Sequence, residues 1–534
     1  MNSKATYKDL LAHCPGILQP IPVIPHGTAT SVEYDSRKIK EGSIFVAIEG
    51  EYFDGHTFIQ DAVENGATLI LGTQEEGIER FPDRYILVED ARKALAYLAA
   101  AYYDFPASKL VMIGVTGTDG KTTTVNLIYN ILKQAGFKAG MISTVNAVIG
   151  EETIDTGFHV TTPEATMVQE LLAKMVEHGL THVVLETTSH GLAQQRVAAC
   201  EYDIGVITNV THEHLDYHKN YENYVRTKAR LLTSLAETET KAFGDIRLAV
   251  VNKDDQSYQS IMQILQDSQE NNLRIVTYSR QGDADIKVLN EEHTPNGLKL
   301  RIGYKNKIAD INSSLVGEYN VSNILAAVGA TGLGLNIEPT LISKGINTLK
   351  GIPGRMERID MGQNFSAIVD FAHTPNAINV TLETARKMTQ KRVVAVFGSA
   401  GLRDREKRKI MAAEGVKQAD LCIFTAEDPR TEKLEDILNE MKKAAEKAGG
   451  VQGKDFYVIS DRGKAIRKAV EVAEEDDLVI VCGKGHEQSM CFGQVEYAWD
   501  DCTALRAALA ELLGIDGPQM PYLPTQEDNK RADL

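Results

Sequence analysis

The chain has 534 residues, 43% of them hydrophobic and 25% charged, which excludes a disordered or fibrous protein. At roughly 100–200 residues per domain, about three domains are expected. There are 57 Lys+Arg against 74 Asp+Glu, a net charge of −17, so the overall field repels nucleic-acid backbones and anionic lipid, and any phosphate ligand must be held by local positive features.

Six scattered cysteines (Cys14, Cys200, Cys422, Cys482, Cys491, Cys502) with no Cys-x-x-Cys pair argue against a disulfide scaffold or a zinc site. The opening stretch MNSKATYKDLLAHCPG lacks a basic segment followed by an apolar one. No apolar run of about 18 residues occurs. The expectation is a soluble cytoplasmic protein with no nucleic-acid or membrane partner, and a monomer.

Residues 1–109 read as a small α/β unit with short strands SIFVAI, ATLILG and YILVED. From Leu110, strands and amphipathic helices alternate. LVMIGVT (110–116) is a predicted buried strand, and TTTVNLIYNILKQAG (122–136) a helix stopped by Gly136. There follow AGMIST (139–144), a helix from Pro163 to about His178, HVVLET (182–187), IGVITNV (204–210), a helix from Tyr221 to about Ala236, RLAVVN (247–252) and RIVTYS (274–279). Such alternation predicts a mainly parallel sheet covered on both faces. Residues 284–318 instead alternate polar and apolar around Asn296-Gly297, as an antiparallel excursion does.

A second α/β series begins near Arg355, with strands in FSAIVDFAH, VVAVFGSA, LCIFTAED, FYVIS and LVIVCG. The link KGIPGR (350–355), with two glycines and a proline, marks the boundary before it. The expected domains are 1–109, 110–349 and 350–534, the last ending in a loose polar tail over 517–534.

Gly114-Val115-Thr116-Gly117-Thr118-Asp119-Gly120-Lys121-Thr122 sits between a predicted strand and a predicted helix. That is the setting of a phosphate-binding loop. Glycines let backbone N–H groups converge on phosphate oxygens, the helix N-terminus adds partial positive charge, Lys121 reaches the outer phosphates and a Thr hydroxyl can hold Mg²⁺. Val115 stands where the strict G-x-x-x-x-G-K-T spacing has its first glycine.

TGTDGKTTT resembles the ATP loop of the Mur ligase family. Further matches follow in that family's order: Thr161-Thr162-Pro163, LETTSHGL with Glu186, Gln194 and Arg196 in QQR, Asn209, HEHLDYH (212–218) and Tyr224-x-x-x-Lys228. Gly317-Glu-Tyr-Asn320-Val-Ser-Asn323, PGRME (353–357), DFAHTP (370–375) and GKGHE (483–487) come next, and YDSRKIKEGSIFVAIEGEYFDGH (34–56) is similar to a UDP-binding N-terminal domain of the family. The resemblance covers nearly the whole chain. It implies an α/β fold of three domains: a small N-terminal UDP-binding domain, a central P-loop-type ATPase domain with a mainly parallel sheet, and a C-terminal Rossmann-like domain.

The resemblance further implies ATP-driven amide bond formation in peptidoglycan precursor synthesis. The D-Glu γ-carboxylate of UDP-N-acetylmuramoyl-L-Ala-D-Glu would take the γ-phosphoryl group of ATP. The acyl phosphate would then be attacked by a diamino acid. By resemblance Gly117, Thr118, Asp119, Gly120, Lys121, Thr122 and Thr123 hold ATP, with Asn320 and Asn323 on the adenine side and Arg355 and His373 closing over it. Thr122 and Glu186 are expected on one Mg²⁺, and His214 and a carbamylated Lys228 on a second. Read by themselves, Glu186 is a strand-end carboxylate, His214 a polar turn residue, Lys228 a snorkelling lysine and the two asparagines helix caps. Ser36 matches a uridine-contacting position, and Thr161, Thr162, Thr188, Gln194 and Arg196 match those that hold the muramoyl-dipeptide. Phe371 and Asn376 depart from the family's Tyr and Asp in D-Y-A-H-T-P-D, and Thr188 replaces a Ser.

For the amine, diaminopimelate carries a second carboxylate that lysine lacks, and an Arg fork recognises it well. Members taking diaminopimelate carry D-N-P-R; here the string is Glu427-Asp428-Pro429-Arg430. Arg403, Arg430, Gly483 and Glu487 match the amine pocket and favour diaminopimelate, whereas Asp428 in place of Asn could favour the ammonium of lysine or ornithine. A folylpolyglutamate-type ligase and a non-catalytic nucleotide-gated scaffold remain as alternatives.

Overall fold

The computed structural model describes residues 5–21, 23–50, 53–154, 162–211, 215–268, 272–294 and 297–526. The chain divides into two compact units. Unit 1 is Met1–Leu289, Arg301–Asp310 and Ser322–Ile346; unit 2 is Asn290–Leu300, Ile311–Val321 and Asn347–Leu534.

Unit 1 begins with β1 (Ile17–Gln19), β2 (Val32–Glu33), β3 (Ser43–Val46), β4 (Ala67–Gly72) and β5 (Tyr85–Val88), ordered β1-β5-β4-β3-β2. Only β1 is antiparallel to its neighbour. Ile44, Leu69 and Ile86 pack with Leu95 and Leu98 of helix Ala91–Tyr102. The Asp-Gly-His string is a brace here. His56 Nε2 accepts the Thr73 N–H at 3.0 Å, so the ring proton sits on Nδ1, 2.6 Å from Asp54 Oδ1.

The second sheet contains β6 (Val111–Thr116), β7 (Ala139–Ile142), β8 (Ala147–Ile149), β9 (Glu152–Ile154), β10 (His182–Glu186), β11 (Ile204–Ile207), β12 (Leu248–Asn252) and β13 (Arg274–Ser279). Their order is β13-β12-β11-β6-β10-β7-β8-β9. From β13 to β7 the strands are parallel, and β6, β10, β11 and β12 are buried along their whole length. A strand covered on both faces must be apolar on both, which is why these runs are nearly unbroken Val, Ile and Leu. At the other edge β14 (Ile286–Thr294), β15 (Gly297–Tyr304) and β16 (Lys307–Ser313) follow one another. Lys305 and Asn306, both at positive φ, form the tight turn between β15 and β16. β16 alternates buried and exposed residues, the pattern of a strand wetted on one face. The antiparallel excursion is therefore present, although β14 itself joins β13 in parallel; Asn296 lies outside the described residues.

β6 is central, and its Gly114 decides how closely the next layer approaches. A Cβ there would fall 2.6 Å from Leu231 Cδ1 and 2.8 Å from Tyr202 Cε1. Helix Tyr221–Glu237 thus lies close against β6, Leu231 and Leu232 fully buried. Below it, Lys241 Nζ meets Asp203 Oδ2 at 2.8 Å, with the Leu110 and Glu201 carbonyls at 3.0 and 2.6 Å. The Met112 N–H also donates to Asp203 Oδ2.

Unit 2 holds β17 (Glu357–Ile359), β18 (Ser366–Asp370), β19 (Val393–Phe397), β20 (Leu421–Phe424), β21 (Phe456–Val458) and β22 (Leu478–Cys482), ordered β17-β18-β22-β19-β20-β21. β17 is antiparallel; the others are parallel, so their carboxyl ends share one edge. A hairpin of β23 (Ser489–Phe492) and β24 (Val495–Ala498) follows. The expected loose tail is docked as far as it is described: Leu523 is fully buried, and the Thr525 hydroxyl donates to Asp461 Oδ2 at 2.8 Å. Met520 packs against the same core and Tyr522 meets the Tyr497 ring, so apolar and aromatic contacts hold a segment that composition alone marks as loose.

Candidate functional site

In unit 1 the end of β6 turns through residues 117–120 into helix Lys121–Gln134. Gly117 (φ 155°) and Gly120 (φ 80°) carry the turn. Any side chain would strike: a Cβ on Gly117 would lie 1.8 Å from Thr208 Oγ1, and one on Gly120 2.2 Å from Asn323 Oδ1. Asn209 shapes the loop from the end of β11. Its carbonyl accepts the Thr118 N–H at 2.8 Å, and its Oδ1 the Asp119 N–H at 2.9 Å. The Thr208 hydroxyl donates to the Asp119 carbonyl at 2.6 Å. The helix starts at Gly120 with no side-chain cap, so its first turn offers the N–H groups and positive dipole end that suit an anion.

Lys121 Nζ folds over this loop, 3.1 Å from the Gly117 carbonyl and 2.7 Å from that of Thr118. Lys228 Nζ comes from the other side, 2.6 Å from the same Gly117 carbonyl and 4.5 Å from the centre of the Tyr224 ring; its side chain is buried. The Thr118 hydroxyl is 3.3 Å from the Tyr224 hydroxyl. Thr122 Oγ1 donates to Glu186 Oε1 at 3.1 Å, and the Thr144 N–H donates to Glu186 Oε2 at 3.0 Å. Thr123 is buried in the same turn. Two cationic side chains and a hydroxyl–carboxylate pair thus converge on one loop.

Beyond Glu186, the Thr162 hydroxyl donates to the Glu186 carbonyl at 3.1 Å, lies 3.0 Å from the Thr188 hydroxyl and accepts the Thr188 N–H at 2.9 Å. Arg196 Nη1 donates to the Thr162 carbonyl, and Nη2 reaches Gln194 Oε1 and Glu164 Oε1. Arg196 Nε is buried with no partner among the described residues. Burial lowers the Arg196 pKa, and Glu164 opposes that. Thr162, Thr188, Gln194 and Arg196 are therefore one cluster. Ser36, half-buried, opens the short helix Ser36–Lys38, and its carbonyl accepts from Asn65 Nδ2 at 3.1 Å. Thr161 and His214 lie outside the described residues.

Unit 2 contributes two clusters. Arg355 lies 4.4 Å above the Phe371 ring, His373 meets that ring edge-on at 4.5 Å, and His486 is tilted against it at 4.8 Å. Phe in place of the family's Tyr keeps the face that a guanidinium needs. On helix Tyr319–Val328, Asn320 Nδ2 donates to the Val316 carbonyl at 2.7 Å.

The second cluster gathers past the carboxyl ends of β19, β20 and β22. Lys484 Nζ contacts Asp428 Oδ1 and Oδ2 at 3.1 and 3.0 Å and pairs with Glu487. The Cys491 N–H also donates to Asp428 Oδ1 at 2.9 Å. Burial works against the Lys484 charge, but Glu487 and Asp428 outweigh it and hold the pKa above its usual value. Asp428 (φ 39°) and Arg430 (φ 53°) both take the left-handed conformation, a strain of the kind found where a loop must present side chains. Arg403 is exposed on the neighbouring turn. Gly483, Glu487, Asp428 and Arg430 are brought together. Sequence reasoning assigns no role to Lys484 or Asn209; Glu487 lies near Lys484 in the chain, but Asp428 stands 56 residues from Lys484 and Asp119 90 residues from Asn209, where local spacing gives no signal.

Three family profiles match the chain: "Mur ligase family, catalytic domain" over residues 28–103, "Mur ligase middle domain" over 115–331 and "Mur ligase, glutamate ligase domain" over 354–485. A UDP-N-acetylmuramyl-tripeptide synthetase of Roseiflexus sp. (strain RS-1) is 40% identical over 496 residues, covering 92% of this chain and 96% of that one. A UDP-N-acetylmuramoyl-L-alanyl-D-glutamate--2,6-diaminopimelate ligase of Bacillus cereus is 37% identical over 494 residues, with 92% and 96% covered. A solved structure of a ligase with that same name superposes with a TM-score of 0.65 at 28% identity, over 96% of this chain and 99% of that chain. The glycine loop, the carboxylate at the end of β10 and the lysine that reaches the loop all fall within the matched middle segment, and the chain belongs to the Mur ligase family.

Proposed function

We propose that the chain adds meso-diaminopimelate to the D-Glu γ-carboxylate of UDP-N-acetylmuramoyl-L-Ala-D-Glu, with ATP converted to ADP and phosphate, in peptidoglycan precursor synthesis. The reading divides the chain at the boundaries expected above (1–109, 110–349 and 350–534) into parts for the UDP-substrate, ATP and the amino acid. It treats the protein as a cytoplasmic monomer; no described helix is long and apolar enough to cross a membrane.

The observation that carries the ligase chemistry is the convergence of Lys121, Lys228, Thr122 and Glu186 on the 117–120 turn. Transfer of phosphoryl to a carboxylate brings two anions together, so charge neutralisation and alignment supply most of the rate. Lys121 and the first-turn N–H groups would hold the triphosphate, with Asn323 beside Gly120; by the resemblance Asn320, Arg355 and His373 are nucleotide-binding as well. Thr122 and Glu186 offer the hard oxygens that Mg²⁺ takes, and phosphate oxygens would complete its shell. Mg²⁺ would neutralise charge developing on the phosphates. Lys228 is the candidate for carbamylation: its ammonium would lose one proton, and the free amine would add to CO₂ and release a second, turning a buried cation into an anion able to join His214 on a second Mg²⁺. The Thr162–Thr188–Gln194–Arg196 cluster, with Thr161, suits an anionic dipeptide, since the orphaned Arg196 Nε is a buried donor in want of an acceptor. Ser36 would contact the uridine.

Asp428 supports diaminopimelate over lysine. Its two oxygens accept from Lys484 and Cys491, so its charge is engaged and is not an open lure for an ammonium. Arg403 and Arg430 then remain for the second carboxylate. Phosphate release that requires ATP, the muramoyl-dipeptide and diaminopimelate together tests the proposal. Preference for lysine or ornithine would overturn the choice of amine, and release without dipeptide or amine would overturn the ligase.

A further inference from the structure

Three turns of unit 2 meet so closely that a methyl group would not fit between them. They precede β17, follow β18 and follow β22. A Cβ on Gly354 would fall 2.1 Å from the His486 backbone nitrogen and 2.3 Å from the Gly485 carbonyl carbon, and one on Gly485 2.7 Å from Phe371 Cβ. Both glycines also take positive φ, 63° and 53°. Hydrogen bonds fix the same joint. The Asp370 carbonyl accepts the Gly483 N–H at 3.1 Å, Asp370 Oδ2 the Met356 N–H at 2.8 Å, and Glu357 Oε2 the Gly354 N–H at 2.9 Å. Backbone packed on backbone passes a displacement of any one turn to the others.

The side chains at this joint gather on the Phe371 ring, Arg355 over its face and His486 tilted against it. His486 has no role among the residues assigned above. Its Nδ1 is buried and meets no partner among the described residues. An unpaired buried nitrogen costs stability, so what holds the ring in place is its packing on Phe371 and the turn, not a hydrogen bond at that atom. The ring is also neutral. Burial first, then the charges of Arg355 and Lys484, pull its pKa down to about 3. A neutral ring can lie beside two cations without adding a third charge, whereas a cationic side chain in its place would repel Arg355.

Arg355 is among the residues proposed to hold the nucleotide. A guanidinium on a long, free side chain loses rotamer freedom when it binds, and one already stacked on a ring loses less. The order of the stack therefore bears on nucleotide affinity. We infer that His486 is a positioning residue for Arg355: it fixes the Phe371 ring, and that ring presents the guanidinium to the nucleotide. This rests on the function proposed above. His486 acts through Phe371 and Arg355 and itself touches no part of ATP.

The test titrates the whole chain with the non-hydrolysable analogue adenylyl imidodiphosphate, Mg²⁺ and muramoyl-dipeptide being present, and reads the dissociation constant by calorimetry. His486→Leu should weaken binding of the analogue about 10-fold, and Arg355→Ala by at least as much. In the Arg355→Ala background, His486→Leu should add less than about 2-fold, because a residue that works through Arg355 has nothing left to position. His486→Phe keeps a neutral ring and drops the orphaned nitrogen, and should bind the analogue within about 2-fold of the wild type. In the ligase assay, His486→Leu should raise KM for ATP and leave KM for the dipeptide unchanged. Unchanged analogue binding in His486→Leu overturns the inference. So does an equal loss with and without Arg355, or a His486→Phe protein as weak as His486→Leu. Should His486→Leu not fold, Phe371→Leu breaks the stack at its centre and carries the same expectations. A wild type that binds no analogue or joins no amine overturns the proposed function. A wild type that does both, beside a His486→Leu protein that binds as well, overturns this inference alone.

Discussion

Lys228 Nζ lies 2.6 Å from the carbonyl oxygen of Gly117, although 111 residues separate them. The contact depends on Gly114, which lets helix Tyr221–Glu237 settle on β6 with Leu231 against the strand. Lys228→Ala removes the buried amine while leaving a good helix former in place. Dipeptide- and amine-dependent phosphate release should fall by about 100-fold or more, the scale of losing a charged group aimed at phosphoryl transfer. The wild type should also lose activity when bicarbonate and CO₂ are stripped away and regain it on their return. A Lys228→Ala enzyme that kept full activity with bicarbonate and CO₂ removed would sink the carbamate.

Thr122 and Glu186 form the pair proposed for Mg²⁺. Glu186→Gln keeps the shape and can still bond the Thr144 N–H through its amide oxygen, but removes the charge that a divalent ion needs. Activity should drop by about 100-fold and be partly recovered at high Mg²⁺. Thr122→Ala should act in the same direction and less strongly, about 10-fold, because a neutral hydroxyl contributes less than a carboxylate. A magnesium titration of each variant reads this, and identical magnesium dependence in all three proteins would remove the pair from the metal site.

Asp203 and Lys241 carry a stability prediction. Their side chains are 4% and 2% exposed. Burial raises the Asp203 pKa and lowers that of Lys241, each opposed by the partner. Lys241→Met leaves Asp203 buried with only the Met112 N–H to satisfy it. Breaking such a pair from one side costs about 3–5 kcal/mol. Replacing both, Asp203→Leu with Lys241→Met, should cost clearly less than the sum of the single changes. Thermal unfolding of the four proteins measures the coupling; additive losses would show that the pair does not act as a unit.

The reach of local pattern explains what could be read from sequence. β6, the glycine turn and helix Lys121–Gln134 were legible because an apolar run, a Gly cluster and a 3.6-residue period each leave a signal within a few residues. β17, three residues long, and the β23–β24 hairpin exist through pairing with distant or short neighbours and carry no such signal. The amine pocket shows the same limit. Arg430 and Glu487 were picked out by resemblance to family motifs, but that Lys484 would engage Asp428 depends on a loop with two left-handed residues meeting the turn after β22. Charge pairing across a sheet edge is a property of the fold and not of the spacing.

Glu432 gives a pH dependence whose sign can be worked out. Arg408, fully buried, sends Nη1 to Glu432 Oε1 at 2.8 Å and Nη2 to Oε2 at 2.9 Å, while the Leu402 N–H donates to Oε2 at 2.9 Å. The bidentate Arg408 guanidinium is the largest influence, and it holds the carboxyl at about 2, below an ordinary value of 4.5. The folded state therefore favours the anion. The stabilisation is complete above about pH 4.5 and is lost as the pH falls through about 2. Glu432→Gln should lower the melting temperature at neutral pH, and the gap from wild type should shrink steadily below pH 4.5. Because Glu432 also ties down Leu402, next to Arg403, the variant should raise KM for the amine more than it lowers kcat. Melting curves across pH and a KM-against-kcat comparison check both halves. A gap that stays constant down to about pH 2 would mean that Glu432 contributes through packing and not through its charge.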